Sequence, residues 1–186
     1  MNNIIYKRRQ SSNIFNGSKS VNILESFYKV QDNNVLYKTF FSKTMFDYEL
    51  CVISILNKMQ LKIIPDMLDV TEFNITYDMN NIVSLRYILK KNKGCNVNFH
   101  HLVNELSSFL KTIQYSKLLI PNLNIDTIYV NNKTLEFYII DFSQSIFTDK
   151  ILNLELDFKT LYISVHKSNI TQKNKDYFYN ELQLIK

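Results

Sequence analysis

The chain has little of what bends, staples or anchors a polypeptide. Two glycines and two prolines occur in 186 residues, and no Pro/Gly/Ser-rich stretch marks a linker, so one domain of two lobes is expected. The two cysteines, Cys51 and Cys95, have neither CxxC spacing nor a nearby histidine pattern. That speaks against a zinc site and against a disulfide framework, and suits a reducing compartment. The start Met1-Asn2-Asn3-Ile4-Ile5 lacks the order of a signal peptide, and no run nears the roughly 18 apolar residues of a membrane span. The expected location is the cytoplasm or nucleus, with no membrane partner.

What is present is apolar material and lysine. Hydrophobic residues make up 46% of the chain, enough for a core and too much for wholesale disorder. The abundance of Asn, Ile, Lys, Tyr and Phe is what an AT-rich genome imposes, which points to a viral or parasite gene. The net charge of +5 favours phosphates or acidic partners, RNA among them. Its lysines are nevertheless spread along the chain, as on an ordinary solvated surface, with Lys7-Arg8-Arg9 the local exception.

Hydrophobic periodicity sets the order of elements. Asn3 to Arg8, Val21 to Val30 and Val35 to Phe41 are rich in β-branched and aromatic residues and predict consecutive antiparallel strands. From Thr44 to Gln60 the period becomes helical, with Phe46, Leu50, Ile53, Leu56 and Met59 at three- and four-residue steps. Pro65 ends that run, and Met67 to Val70 and Asn74 to Tyr77 predict two more strands. A short helix is expected over Ile82 to Lys90 and a strongly amphipathic one over Phe99 to Tyr115, buried along Leu102, Leu106, Phe109, Leu110 and Ile113. Two short strands, Thr127 to Val130 and Leu135 to Ile140, precede helices over Leu154 to His166 and Lys175 to Ile185. Lys90-Lys91-Asn92-Lys93 is expected to be a solvated linker, and Cys51 to pack against the core.

Strands with one inserted helix, a connector, a long helix, a loop, a short strand pair and late helices follow one another here. Within that order, Leu123 to Val130 is followed by Phe137-Tyr138-Ile139-Ile140-Asp141-Phe142-Ser143. The set resembles the protein kinase superfamily, with its catalytic loop and its metal-binding D-F-G segment, the glycine replaced by Ser143. The resemblance implies an α+β, two-lobed fold: residues 1–79 as a small antiparallel sheet with one helix, and residues 80–186 as a reduced, mostly helical lobe. It also implies ATP and magnesium as cofactors. The lack of an A-P-E motif makes the compact atypical kinases, of the RIO and KEOPS-complex types, the nearest likeness.

Phosphoryl transfer is catalysed largely by positioning and by neutralising phosphate charge. Val35-Leu36-Tyr37-Lys38 has the V-A-I-K form, so the resemblance gives Lys38 the α- and β-phosphates and Glu49 the task of holding Lys38. Asp141 takes the metal. The family pattern H-R-D-L-x-x-x-N is met by Ile120-Pro121-Asn122-Leu123-Asn124-Ile125-Asp126-Thr127, which puts Asn122 at the base position and Thr127 at the second metal position. An amide cannot accept the substrate proton as a carboxylate does, and a hydroxyl is the poorer ligand. Asp126 is a candidate replacement base, its plainer role being a turn residue. The segment Arg9 to Ser20 holds only Gly17 where a glycine-rich nucleotide roof belongs. Asp157 falls where the superfamily braces the catalytic loop. His100, His101 and His166 lie at helix ends and receive no catalytic part. These readings describe a pseudokinase that works by binding a protein partner. The alternatives are a residual Ser/Thr-type kinase or ATPase and an RNA-associated module.

Overall fold

Alternating burial along Val35–Phe40 places Leu36, Lys38 and Phe40 on the inward face of a strand, with Val35, Tyr37 and Thr39 half-buried on the other. This strand, β3, belongs to a computed structural model that describes residues 5–7, 26–31, 34–91, 98–121, 123–148 and 155–184, with side chains for 34–90, 98–121, 123–148 and 161–184. The described chain is α+β, with small antiparallel sheets and five helices. It divides into two units, residues 1–51 with 66–80 and residues 52–65 with 81–186.

The first unit is a five-stranded antiparallel sheet in the order β1-β2-β3-β5-β4, from β1 (Ile5–Lys7), β2 (Ser26–Gln31), β3, β4 (Met67–Thr71) and β5 (Asn74–Asp78). Between β3 and β4 the chain turns into α1 (Lys43–Lys58), whose first turn is closed by Ser42 Oγ accepting from the Met45 amide at 3.2 Å. Phe46 then packs edge-on to Phe40 and beside Phe73, centroids 5.6 and 6.2 Å apart. Helix α1 buries Glu49, Val52, Ile53 and Leu56. At 100° per residue these four share one stripe, which leaves Cys51 on the far side. Cys51 is exposed, contrary to the packing expected of it, because the stripe is rotated toward Glu49.

In the second unit, the residues expected to open a helix at Ile82 instead form β6 (Ile82–Ser84), and the helix α2 spans Leu85–Lys91. The β-branched Ile82 and Val83 find ladder partners in Asn131 and Val130, and Ser84 Oγ accepts from the Tyr87 amide to start α2. Strand β6 lies beside the hairpin of β8 (Ile128–Asn131) and β9 (Phe137–Ile139). Helix α3 (Phe99–Tyr115) has the expected bounds and the expected buried stripe. Asn98 caps it, its side-chain oxygen accepting from the amides of His100 and His101. Helices α4 (Glu155–His166) and α5 (Gln172–Gln183) complete the unit. Tyr177 joins α5 to α3, donating to Asn104 Oδ1 at 3.0 Å with its ring against His100. Two further short strands, β7 (Leu118–Leu119) and β10 (Ile146–Phe147), pair with each other and are not foreshadowed by the sequence pattern.

With so little glycine, tight turns fall to other residues. Gln60 and Lys117 hold positive φ of 57° and 56° just past the ends of α1 and α3, the left-handed position glycine usually fills. The Leu61 amide still reaches Leu56 O at 3.1 Å, so the closing bond is made despite the Cβ. Gly17, Arg8, Arg9, Cys95 and the segment 92–97 lie outside the described residues, as do the side chains of Lys7 and Asp157.

Candidate functional site

The first unit brings together two residues singled out from the sequence. Lys38 Nζ donates to Glu49 Oε1 at 2.5 Å, and both side chains are fully buried. The positions follow from periodicity: Lys38 occupies an inward site on β3, paired in register with Ile75 of β5, and Glu49 stands on the buried stripe of α1. The ammonium also lies 4.7 Å from the centre of the Phe40 ring, a second favourable contact for a cation. Removing two charges from water costs several kcal/mol each, so such pairs persist where geometry is good and often serve something other than stability.

The second unit carries two loops that share a frame. Chain order runs β7, loop 120–127, β8, β9, segment 140–145, β10, while β8 pairs with β9 and β10 with β7. Each loop therefore joins the same two ladders. This sets Asp141 beside the start of loop 120–127, and Ile120, Pro121, Asp141, Ser143, Gln144 and Ser145 line one open depression. Apolar anchors hold the frame: Leu123, Ile125, Ile128, Ile140 and Phe142 are all buried.

Asp141 Oδ1 accepts from Ser143 Oγ at 2.8 Å and from the Ser143 amide at 3.3 Å. Thr127 is buried, and its hydroxyl accepts from the Asn124 amide at 2.9 Å while donating to Asn124 O at 3.1 Å. The Thr127 hydroxyl, which the sequence offered as a second metal ligand, thus closes its own turn. Asp126 points outward, half-exposed, into a two-pronged ion pair with Arg86 of α2. That hydrogen bond, more than the charge alone, holds the guanidinium above its ordinary value. Arg86 also donates its backbone amide to Ile125 O at 2.9 Å. Sequence reading passed over Arg86. The signal was present, since it is the only arginine beyond Arg9. Asn122, the base position, lies outside the described residues.

The donors present fit a hard cation of the magnesium kind in a limited way. A carboxylate on an open depression supplies one oxygen ligand, and magnesium characteristically completes its shell with water and substrate phosphates. Thr127 adds no ligand without breaking its turn. For a nucleotide, the buried Lys38–Glu49 pair fits the role of a phosphate-facing ammonium held in one orientation.

No protein-family model matches the chain, and neither does any curated protein sequence. Solved structures do. WaaP in complex with acyl carrier protein matches with a TM-score of 0.56 at 13% identity, over 86% of this chain and 74% of that one. The bifunctional kinase-methyltransferase WbdD matches with a TM-score of 0.55 at 14% identity, over 87% of this chain and 42% of that one. This chain thus spans under half of WbdD. At such identities the likeness is one of fold, and the fold it identifies is an α+β, kinase-like one.

Proposed function

We propose that this protein is a kinase-fold binding protein that holds a nucleotide, transfers phosphate poorly or not at all, and acts through a protein partner. The observation that carries the nucleotide is the fully buried Lys38–Glu49 pair. A core of this size gains little from such a pair that apolar residues would not supply, and its place on β3 and α1 suits an ammonium held for phosphate. Asn122 at the base position supports impaired transfer, because general-base catalysis contributes about 100- to 10,000-fold. The WaaP structure contains an acyl carrier protein, and that precedent on a similar fold supports the search for a protein partner.

Thermal unfolding with and without Mg-ATP tests the reading. A ligand at about 100 times its Kd stabilises the folded state by about 2.7 kcal/mol, and for a chain of this length that raises Tm by about 5–11 °C. The rise should vanish in Asp141→Ala. No rise in wild type would defeat the nucleotide part. Phosphotransfer that disappears in Asp141→Ala would defeat the impaired part and establish the second reading, a residual kinase or ATPase, which the retention of Asp141 on an open depression favours.

A further inference from the structure

We infer that the Ser143 hydroxyl restrains the Asp141 carboxylate from divalent metal, so that this serine sets how weakly the site takes magnesium. The inference rests on the nucleotide-site reading above and concerns its regulation.

Both donors of Ser143 converge on one atom, Asp141 Oδ1, the hydroxyl at 2.8 Å and the amide at 3.3 Å. A hydrogen bond to an ionised carboxylate is roughly twice as strong as one between neutral groups. The hydroxyl hydrogen also brings partial positive charge to the carboxylate, which opposes a nearby cation. Magnesium requires its oxygen ligands at about 2.0–2.1 Å in near-octahedral array, so to take Oδ1 it must turn the carboxylate or displace that hydrogen. Glycine at this position has no hydroxyl and, of the two Ser143 bonds, leaves the longer amide one.

The serine is held where it stands. The Ser145 amide and hydroxyl both donate to Phe142 O, at 3.0 and 2.7 Å, which closes the turn around residues 143 and 144. Phe142 and Ser145 are themselves buried, fixing Ser143 from both sides along the chain. Ser143 is only half-buried and lines the depression with Asp141. The backbone of Ser143 is therefore held in place, and its hydroxyl is oriented by its bond to Asp141 Oδ1.

The experiment titrates Mn2+ against the full chain in the presence of ADP, read by electron paramagnetic resonance, with Mg2+ as competitor. Ser143→Gly and Ser143→Ala should each tighten the apparent metal Kd about tenfold, and Ser143→Thr, which keeps a hydroxyl, should stay near wild type. Equal or weaker binding in both Gly and Ala variants would overturn the inference, as would an equal gain in Ser143→Thr or no binding in any variant. Asp141→Asn separates this from the reading beneath it. If it abolishes binding while the Ser143 variants match wild type, only the serine's part fails. If it binds like wild type, Asp141 is no ligand and the metal-site reading fails with it.

Discussion

Lys38 and Glu49 should behave as one unit whose halves cannot be removed separately. Lys38→Met keeps most of the apolar stem but deletes the charge that faces Glu49 and the Phe40 ring. Glu49 then remains in a fully buried position without its cation. Breaking a buried pair from one side costs about 3–5 kcal/mol, which for this length corresponds to a fall in Tm of about 6–20 °C. Replacing both, as Lys38→Met with Glu49→Leu, should return stability to within about 1 kcal/mol of wild type or exceed it, because neither desolvation cost remains. Urea unfolding of wild type, the two single variants and the double variant gives the coupling energy, expected at about 5–10 kcal/mol, because each single variant loses about 3–5 kcal/mol and the double variant almost nothing. A loss below about 1 kcal/mol for Lys38→Met would refute the reasoning, since it would mean that the charges are not desolvated together. The double variant carries a second reading. It should be stable yet lose the thermal response to Mg-ATP, which separates what the pair does for the fold from what it does for a ligand.

Other outcomes follow from single contacts. The Tyr179 hydroxyl is buried without a hydrogen-bond partner among the described residues, and burial, with Tyr162 and Asp176 adding, pushes the phenol above its usual value. Between the unfolded and folded values the native state keeps the proton that the unfolded chain releases, so stability should fall as pH rises above about 10. Tyr179→Phe should flatten that fall and cost nothing at neutral pH, as read from denaturant midpoints at pH values of about 7 and 11. Asn98→Ala should destabilise by about 0.5–2 kcal/mol through loss of the α3 cap, leaving the thermal response to nucleotide unchanged. Asp126→Ala should cost less than about 1 kcal/mol, since its pair with Arg86 is solvent-exposed. A collapse of the Mg-ATP response in Asp126→Ala would instead give that carboxylate a part in the site.

Much of the fold was legible because its signals are local. Helix α3 matches its expected range because Leu102, Leu106, Phe109, Leu110 and Ile113 repeat with helical period on a polar background, and all five are buried. Lys38 and Glu49 were singled out by likeness to the V-A-I-K pattern and its helix carboxylate rather than by periodicity, and both prove to lie on the buried side of their elements. Strands β6, β7 and β10 escaped because they are two or three residues long and take their partners from afar, as Ile82 does from Asn131. No periodicity can appear in so few residues, and the information lies in the pairing. Sequence located Asp126 and Thr127 but not what they touch. The bond from Ser143 to Asp141 was hidden for a related reason. Serine in place of glycine shows at once that backbone freedom is lost, but which acceptor the new hydroxyl finds depends on how the turn folds.

The two ladders that frame the loops divide the work of holding their shape unevenly among the residues. Loop 120–127 and segment 140–145 are tied at both ends by β-pairing, and their shape is kept by buried Ile120, Leu123, Ile125, Ile140 and Phe142. The residues between those anchors differ in what holds them: Thr127 is buried and closes its own turn, Asp126 is paired with Arg86, and Ser143 is half-buried. The frame therefore tolerates change unevenly: Ser143→Gly leaves every buried anchor in place, whereas Thr127→Asn gives up the hydroxyl that closes the turn at Asn124.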